Sequence, residues 1–282
     1  MRLRIRHTTV YRYSQEVVFG PHWLMIRPRE EHDLRIESSR LEISPAHSLR
    51  WRTDAYGNSI ALVHLQKPAA QLRIDSEVTV KHFEPNPFNF LLVPEAVNYP
   101  FQYHPQEYPD LAPCLVPLYP ADEAEVRAWL APFLPASGST PTLNLLTALN
   151  QAVRSDFTYV RRDEPGIQSP AETLGKKSGS CRDYAALFME ACRHLGLAAR
   201  FVSGYAHNPK EAHGSTHAWA EVYLPGAGWK GFDPTAGILA CDLHVPVAVA
   251  RDPGQATPVS GTFSAPGECV GLDVDVQVQE VP

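Results

Sequence analysis

The chain has 282 residues, of which 44% are hydrophobic and 20% are charged, as in globular proteins that bury a sizeable core. Its formal net charge of −6 argues against a nucleic-acid partner, because proteins that bind nucleic acids usually present a basic face. The five cysteines form no CxxC pair and no spacing typical of a disulfide framework. Their odd number favours a reducing compartment, in which one thiol is free to react.

The first residues alternate apolar with basic side chains, and this pattern predicts a β-strand and no signal peptide. No stretch of the sequence approaches the roughly 18 apolar residues that a membrane helix requires. We therefore expect a cytoplasmic protein without a membrane partner. The two-residue period continues through short strands separated by Gly, Asn or Pro, so residues 1–95 are predicted to form an antiparallel, sandwich-like β domain.

Residues 96–120 are rich in proline and aromatic residues. Prolines stiffen a segment, and aromatic side chains favour packing on the body of the protein. An ordered linker is therefore favoured over the alternative, a peptide-binding motif.

The period becomes helical in residues 121–250, which we predict to be a separate α+β core. A short helix is expected after Asp122, and Pro141 marks the start of a second helix whose apolar face ends near Arg154. A largely apolar helix over residues 181–195 is predicted to be central. Strands are expected at 200–205, 218–224 and 229–233, and residues 251–282 are predicted to form a loop and a closing strand at 272–278.

Three residues of the core have the chemistry of a cysteine-type triad. Cys181 opens the predicted central helix, His217 begins a strand, and Asp233 ends the next strand. A thiolate nucleophile, an imidazole base and a carboxylate that orients the imidazole are the parts of such a triad. The unpaired N–H groups of a helix start favour the thiolate form and can bind an acyl oxyanion.

Other interpretations of these residues stay open. A buried cysteine is ordinarily a small core residue, and the domain is then a non-catalytic binding module. A metal site is a further alternative, but its residues fall on a predicted loop and strand and lack the glutamate of an HExxH motif. The residues of that alternative site are Cys181, His213, His217 and Asp233.

The sequence around the three residues resembles the bacterial transglutaminase-like superfamily. The similar motifs are Gly-Ser-Cys-Arg-Asp-Tyr-Ala at 179–185, His-Ala-Trp-Ala-Glu-Val at 217–222 and Gly-Trp-Lys-Gly-Phe-Asp-Pro-Thr at 228–235. The resemblance extends to an N-terminal β region through the motif His-Thr-Thr-x-Tyr-x-Tyr at 7–13 and through Asp54-x-x-Gly57-Asn58. Nearly the whole chain is covered.

The resemblance implies a papain-like, transglutaminase-like core in which a helix carrying the cysteine packs on an antiparallel sheet. It implies that Cys181 is the nucleophile, His217 the base and Asp233 the orienting carboxylate of an enzyme that acts on peptide or amide bonds through a thioester. Tyr159, Ser180 and Trp219 are candidates for the oxyanion hole or the cleft. No cofactor or metal is expected, and the partner is a peptide or protein substrate. Hydrolysis, transamidation and the oligomeric state are left open.

Overall fold

The N-terminal strands form two antiparallel sheets in the computed structural model, which describes residues 1–136, 138–162, 164–208, 215–264 and 266–282. One sheet contains β3, β6 and β1 in this order, and the other contains β4, β5 and β2. Their facing side chains share one apolar cluster that includes Leu24, Val63 and Ile74, so the sheets pack face to face. The strands are β1 (Arg2–Val17), β2 (Phe19–Leu24), β3 (Leu34–Ser44), β4 (His47–Thr53), β5 (Ser59–Leu65) and β6 (Ala69–His82).

The linker is ordered, and it contains a strand and a helix, β7 (Asn98–Tyr99) and α1 (Tyr108–Leu115). The prolines hide this helix from sequence analysis, but Pro109 lies in the first turn, where its missing N–H costs no hydrogen bond. Tyr103 is buried and fastens the linker to the core, because its hydroxyl donates to the carbonyl of Tyr223 at 2.9 Å and accepts from the N–H of Ala198 at 2.8 Å.

The core contains one central helix that packs on a five-stranded antiparallel sheet of order β14-β13-β12-β11-β15. Apolar side chains of the helix, among them Phe188, meet the alternate residues Ala220 and Val222 of β12. Among the described residues, no helix combines the length and the apolar character needed to cross a membrane. The helical part comprises α2 (Glu123–Leu130), β8 (Thr140–Pro141), α3 (Thr142–Asp156), β9 (Thr158–Tyr159), α4 (Pro170–Lys176), β10 (Ser178–Gly179) and α5 (Cys181–His194). The sheet comprises β11 (Ala199–Ala206), β12 (Ser215–Leu224), β13 (Gly228–Asp233), β14 (Ile238–Leu239) and β15 (His244–Ala250).

The C-terminal segment returns to the N-terminal sheets through β16 (Val259–Phe263) and β17 (Cys269–Glu280). β17 pairs with β1 from Leu3 opposite Glu280 to Tyr13 opposite Cys269, and β16 pairs with β2. Each sheet of the sandwich therefore has four strands, one of which follows the core in the sequence. The predicted strand at 272–278 lies within β17, and its partner is the first strand of the chain.

The sandwich and the core share an apolar interface with polar anchors. Leu3 and Val78 of the sandwich lie in one cluster with Val245 and Val247 of β15. The amide of Asn58 makes two hydrogen bonds to the backbone of Val249, at 2.8 and 2.9 Å, as a neighbouring strand would. A second anchor joins His7 to the core, because its Nδ1 lies 2.9 Å from the hydroxyl of Tyr205.

Candidate active site

Cys181 is the first residue of α5, and Asp183 fixes this helix start. The carboxylate of Asp183 is fully buried and accepts hydrogen bonds from the N–H and the hydroxyl of Ser180, both at 2.8 Å. Its other oxygen accepts from the N–H of Gln168 at 2.8 Å and from Arg162 at 2.7 Å. Burial alone would raise the pKa of Asp183, but these donors outweigh it and hold the pKa below its usual value. The ionised carboxylate therefore holds the turn that presents the thiol.

His217 and Asp233 form a hydrogen-bonded pair across β12 and β13. Nε2 of His217 lies 2.8 Å from Oδ2 of Asp233, so Nδ1 is the ring nitrogen left for Cys181. Burial lowers the pKa of His217, but the charge and hydrogen bond of Asp233, with a smaller contribution from Cys181, raise it to about 10. The shift favours the charged imidazolium, the form of a histidine that can stabilise a neighbouring thiolate.

Asp233 has donors on both carboxylate oxygens. Oδ1 accepts from the N–H groups of Thr235 at 2.9 Å and Ala236 at 3.3 Å, in the turn that follows β13. Oδ2 accepts from His217 and from His244, whose Nε2 lies 3.0 Å away. Burial would raise the pKa of Asp233, but both histidines hold it well below its usual range. The carboxylate is ionised and cannot rotate without breaking several hydrogen bonds.

His244 is a site residue that sequence analysis missed. Its Nδ1 accepts from the N–H of Cys241 at 3.3 Å, which leaves Nε2 to donate to Asp233. The residue begins β15, whose neighbour in the sheet is β11, so only this long-range pairing brings it close to Asp233. In the sequence, His244 is marked by its position at the start of an apolar strand. This position does not predict which residue its side chain contacts.

The three further candidates of the sequence occupy different positions. Tyr159 lies beside Cys181, because β9 pairs with β10 and places Tyr159 opposite Gly179. Burial, followed by the charge of a Cys181 thiolate, raises the pKa of Tyr159 to about 12, so its hydroxyl is protonated and can donate. The hydroxyl of Ser180 is buried against Asp183. A role of Tyr159 or Ser180 in an oxyanion hole stays a prediction.

Trp219 lies behind the histidines and has only 1% of its surface exposed. Its ring is 6.2 Å from that of His217 and 5.2 Å from that of His244. The neighbouring strands carry glycine where the indole passes, and a Cβ atom at Gly204 would come within 2.8 Å of the ring. Trp219 therefore packs against both imidazoles. Its placement in a substrate cleft stays a prediction.

His217, Asp233 and His244 also have the residue types of a metal site, and their ligand atoms lie within 4.8 Å of one another. Both imidazoles nevertheless face one carboxylate oxygen at 2.8 and 3.0 Å, which are direct hydrogen-bond distances. The other oxygen is engaged by backbone N–H groups. The arrangement fits a hydrogen-bonded acid–base site better than a metal centre. His213, from the alternative metal set, lies outside the described residues.

The remaining cysteines differ from Cys181 in their surroundings. Cys192 lies in the interior of α5, and burial raises its pKa strongly. Burial also raises the pKa of Cys114 and Cys241. Cys269 is exposed on β17, at the far end of the sandwich strand from the core. Cys181 is a partly exposed thiol beside the His217–Asp233 pair, whereas Cys241, which is also partly exposed, has a pKa raised by burial.

Comparisons with known proteins agree with this architecture. Residues 3–81 match the family model of the bacterial transglutaminase-like N-terminal region, and residues 134–234 match that of the transglutaminase-like superfamily. The uncharacterized protein Rv2569c of Mycobacterium tuberculosis is 30% identical over 98% of this chain and 92% of its own length. The uncharacterized protein ML0607 of Mycobacterium leprae is 25% identical, with 98% of each chain covered. The crystal structure of a candidate cysteine protease from Cytophaga hutchinsonii superposes with a TM-score of 0.72 at 18% identity, covering 100% of this chain and 92% of that one.

Proposed function

Because the chain belongs to the bacterial transglutaminase-like superfamily, we propose that it is a cysteine-dependent acyl-transfer enzyme acting on peptide or amide bonds. The observation that carries the proposal is the hydrogen-bonded His217–Asp233 pair beside Cys181 at the start of a helix. A substrate carbonyl at this helix start meets unpaired N–H groups as well as the thiol.

The proposed reaction has two steps. The Cys181 thiolate attacks the substrate carbonyl, and a carbon–sulfur bond forms while the carbonyl electrons move to the oxygen. The carbon–nitrogen bond then breaks, and the leaving amine takes the proton of the His217 imidazolium. In the second step the neutral imidazole accepts a proton from water or from an acceptor amine. That nucleophile attacks the thioester, and the thiolate is released again.

The roles of the surrounding residues follow from their contacts. Asp233 keeps the imidazole in one orientation and favours its charged form, and His244 holds Asp233 in turn. The N–H of Cys181 is one donor to the oxyanion, and the protonated hydroxyl of Tyr159 is the proposed second. The alternative is a non-catalytic binding module, against which the partly exposed thiol and its charged partner argue.

Alkylation of Cys181 tests the reactive thiol directly. We would measure the iodoacetamide reaction at pH 7 by peptide mass spectrometry, in a Cys269→Ser background that removes the exposed thiol. Cys181 is expected to react at least about tenfold faster than in the His217→Gln variant, since the imidazolium favours the thiolate. A Cys181 that reacts no faster than Cys192 or Cys241 would contradict the proposal and favour the binding module.

A substrate panel tests the chemistry and separates hydrolysis from transamidation. Casein and glutamine-containing peptides are incubated with and without a primary amine, and release of ammonia, new amines and cleaved peptides is followed. Turnover that disappears in Cys181→Ala supports the proposal, and incorporation of the amine identifies transamidation. Turnover that persists in Cys181→Ala, or that requires added zinc and stops with a chelator, would contradict it.

A further inference from the structure

The sheet of β16, β2, β5 and β4 carries positive charge that none of its own residues balances. Its four strands contain no aspartate or glutamate, and Arg50 and Arg52 of β4 are their only lysine or arginine residues. Neither guanidinium group makes an ion pair or a hydrogen bond within the described residues. In the other sheet, by contrast, these arginines pair with carboxylates: Arg6–Glu77, Arg12–Asp273 and Arg73–Asp75. In a chain with a net charge of −6, β4 is therefore a site of unbalanced positive charge.

β4 is also an edge strand of its sheet. It pairs with β5 on one side and, within the described part of the chain, with no strand on the other. The residues from Arg50 to Thr53 are all exposed. An edge strand presents backbone N–H and C=O groups that can pair with a further extended chain. Because successive side chains point to opposite faces, Trp51 lies on one face of the sheet and both arginines lie on the other.

Trp51 is a large side chain with 47% of its surface exposed. Its partner on β5 is Ala61, which belongs to the apolar cluster between the two sheets. The indole therefore continues the apolar face of the sheet as far as its edge, where an added strand can cover it. Partly exposed tryptophans of this kind are frequent anchors of protein interfaces.

A shallow depression of about 340 Å³ lies at the same edge, and Arg27, Trp51 and Arg52 are among its lining residues. No described carboxylate lines this depression. Asp54, the next acidic residue along the chain, is already engaged, because it accepts from the N–H groups of Tyr56 and Asn58 at 2.9 Å. Guanidinium groups bind carboxylates through parallel hydrogen bonds. A carboxylate from another molecule is therefore the group that complements this surface.

Other occupants fit the surface less well than an acidic peptide does. A second copy of β4, paired antiparallel, would bring arginine beside arginine on one face, which is unfavourable. Single-stranded nucleic acid also favours arginine and aromatic side chains. It does not pair with the backbone of a strand, however, and the net charge of −6 repels a polyanion. An extended peptide matches the charge, the indole and the backbone together.

We propose that β4 binds an extended peptide segment in which acidic residues alternate with apolar ones. The segment adds a fifth strand to the sheet, so that its carboxylates face Arg50 and Arg52 while an apolar side chain covers Trp51. A further carboxylate reaches the depression that Arg27 lines. None of these residues belongs to the site of Cys181, and the proposal does not depend on catalysis.

Fluorescence anisotropy with the full chain tests the proposal. The main probe is a labelled, acetylated heptapeptide of alternating Glu and Val. A second peptide has Lys in place of Glu, and a third has N-methyl groups on two adjacent central residues, one of whose N–H groups faces β4 in either register. Oligo(dT) of similar length is the fourth probe. We expect the first peptide to bind at least about tenfold more tightly than each of the others.

Two variants test the residues of the surface. Because one exposed ion pair contributes little, Arg50→Gln and Arg52→Gln are combined, and the double variant should weaken binding by about tenfold. Trp51→Ala should have an effect of similar size. The matched control is Arg40→Gln combined with Arg73→Gln, which removes the same charge from the other sheet and should leave binding unchanged. Cys181→Ala should also bind as the unmodified protein does, so a failure of the proposed catalysis leaves this test intact.

Each outcome decides the proposal. Selective binding of the acidic peptide that is weakened by both β4 variants and kept by the control supports it. The proposal is overturned if the acidic peptide does not bind, if the N-methylated peptide binds equally, or if both β4 variants bind as the unmodified protein does. Tighter binding of oligo(dT) would also overturn it and assign the surface to nucleic acid. Circular dichroism confirms that the variants are folded.

Discussion

The interior of the β sandwich is apolar, whereas the core buries several charged side chains. Between the two N-terminal sheets the cluster consists of aromatic and branched aliphatic residues such as Phe19, Leu24 and Val63. Among the described residues of the core, four charged ones are at most 3% exposed: Asp183, Glu190, Arg193 and Asp233. Burying a charge costs free energy unless it is paired and hydrogen-bonded, so such residues are retained where position matters.

The buried charges of the core serve two purposes. Asp183 and Asp233 position Cys181 and His217, whereas Glu190 and Arg193 join distant segments. Glu190 accepts from the N–H groups of Leu118 and Tyr119 in the linker, and Arg193 donates to the carbonyl of Arg251 in the tail. Substitutions of the first pair should therefore change chemistry, and substitutions of the second pair or of the sandwich should change stability.

The largest effect is expected for Asp233→Asn. The amide cannot favour the imidazolium of His217 and offers it the wrong hydrogen-bonding group, so turnover should fall by about 10³-fold or more. Initial rates on the best substrate of the panel measure this loss. Asp273→Asn, at a carboxylate that is 61% exposed on β17, is the control and should keep full activity. Equal activity of the two variants would contradict the proposed role of Asp233 in catalysis.

Arg193→Met should destabilise the protein by about 3–5 kcal/mol, because it leaves Glu190 buried without its cationic partner. Urea unfolding followed by circular dichroism gives the change in free energy. Arg127→Met removes an exposed pair with Glu123 on α2 and should cost less than about 1 kcal/mol. A similar small change in both variants would mean that the buried pair does not fasten the linker and the tail.

Stability should fall below neutral pH through His7, which burial holds at a pKa of about 4. A histidine in the unfolded chain has a pKa near 6.5 and therefore binds a proton at a higher pH than the folded His7 does. The contribution of His7 to the free energy of unfolding is complete above about pH 6.5 and declines as the pH falls towards 4. The protonation of His7 should lower the free energy of unfolding by about 3 kcal/mol over this range. Unfolding free energies of His7→Gln should decline less over this window. His64→Gln, at an exposed position of β5, should follow the unmodified protein.

A smaller effect is expected for Asn58→Ala at the junction of the sandwich and the core. The variant loses two hydrogen bonds to Val249 and leaves a buried N–H and carbonyl unpaired, which costs about 2 kcal/mol. Urea unfolding provides the measurement, and Asn144→Ala, at an exposed position of α3, is the control. Turnover at temperatures where the protein is folded should stay the same. A loss of activity without a loss of stability would show that Asn58 acts on the site.

The local elements of the fold could be predicted from the sequence. The alternation in the first strands and the apolar face of α5 encode elements whose residues are neighbours in the chain. The turn around Gly226 and Gly228, both at positive φ, joins β12 to β13 and brings His217 near Asp233. The His217–Asp233 pair was therefore within reach of sequence analysis, because its two members lie on adjacent strands.

Features that depend on long-range pairing were not predictable. The proximity of His244 to Asp233 requires β15 to lie beside β11, and no local pattern encodes that choice. The five donors around Asp183 come partly from Arg162 and Gln168, which precede it on an irregular segment. The prolines of α1 concealed a helix, since the interior position of Pro113 argues against one in sequence analysis.

The pairing of β17 with β1 affects how the protein folds during its synthesis. These strands lie at opposite ends of the sequence, so the sandwich sheet lacks one of its members until residues 269–280 have been synthesised. Until then β1 presents an open strand edge, of the kind that pairs with other chains. Contacts so distant in sequence also form slowly. Synthesis in the cell thus exposes the sandwich to aggregation for the whole time that the ribosome spends on the core, and a chaperone bound during that interval would protect it.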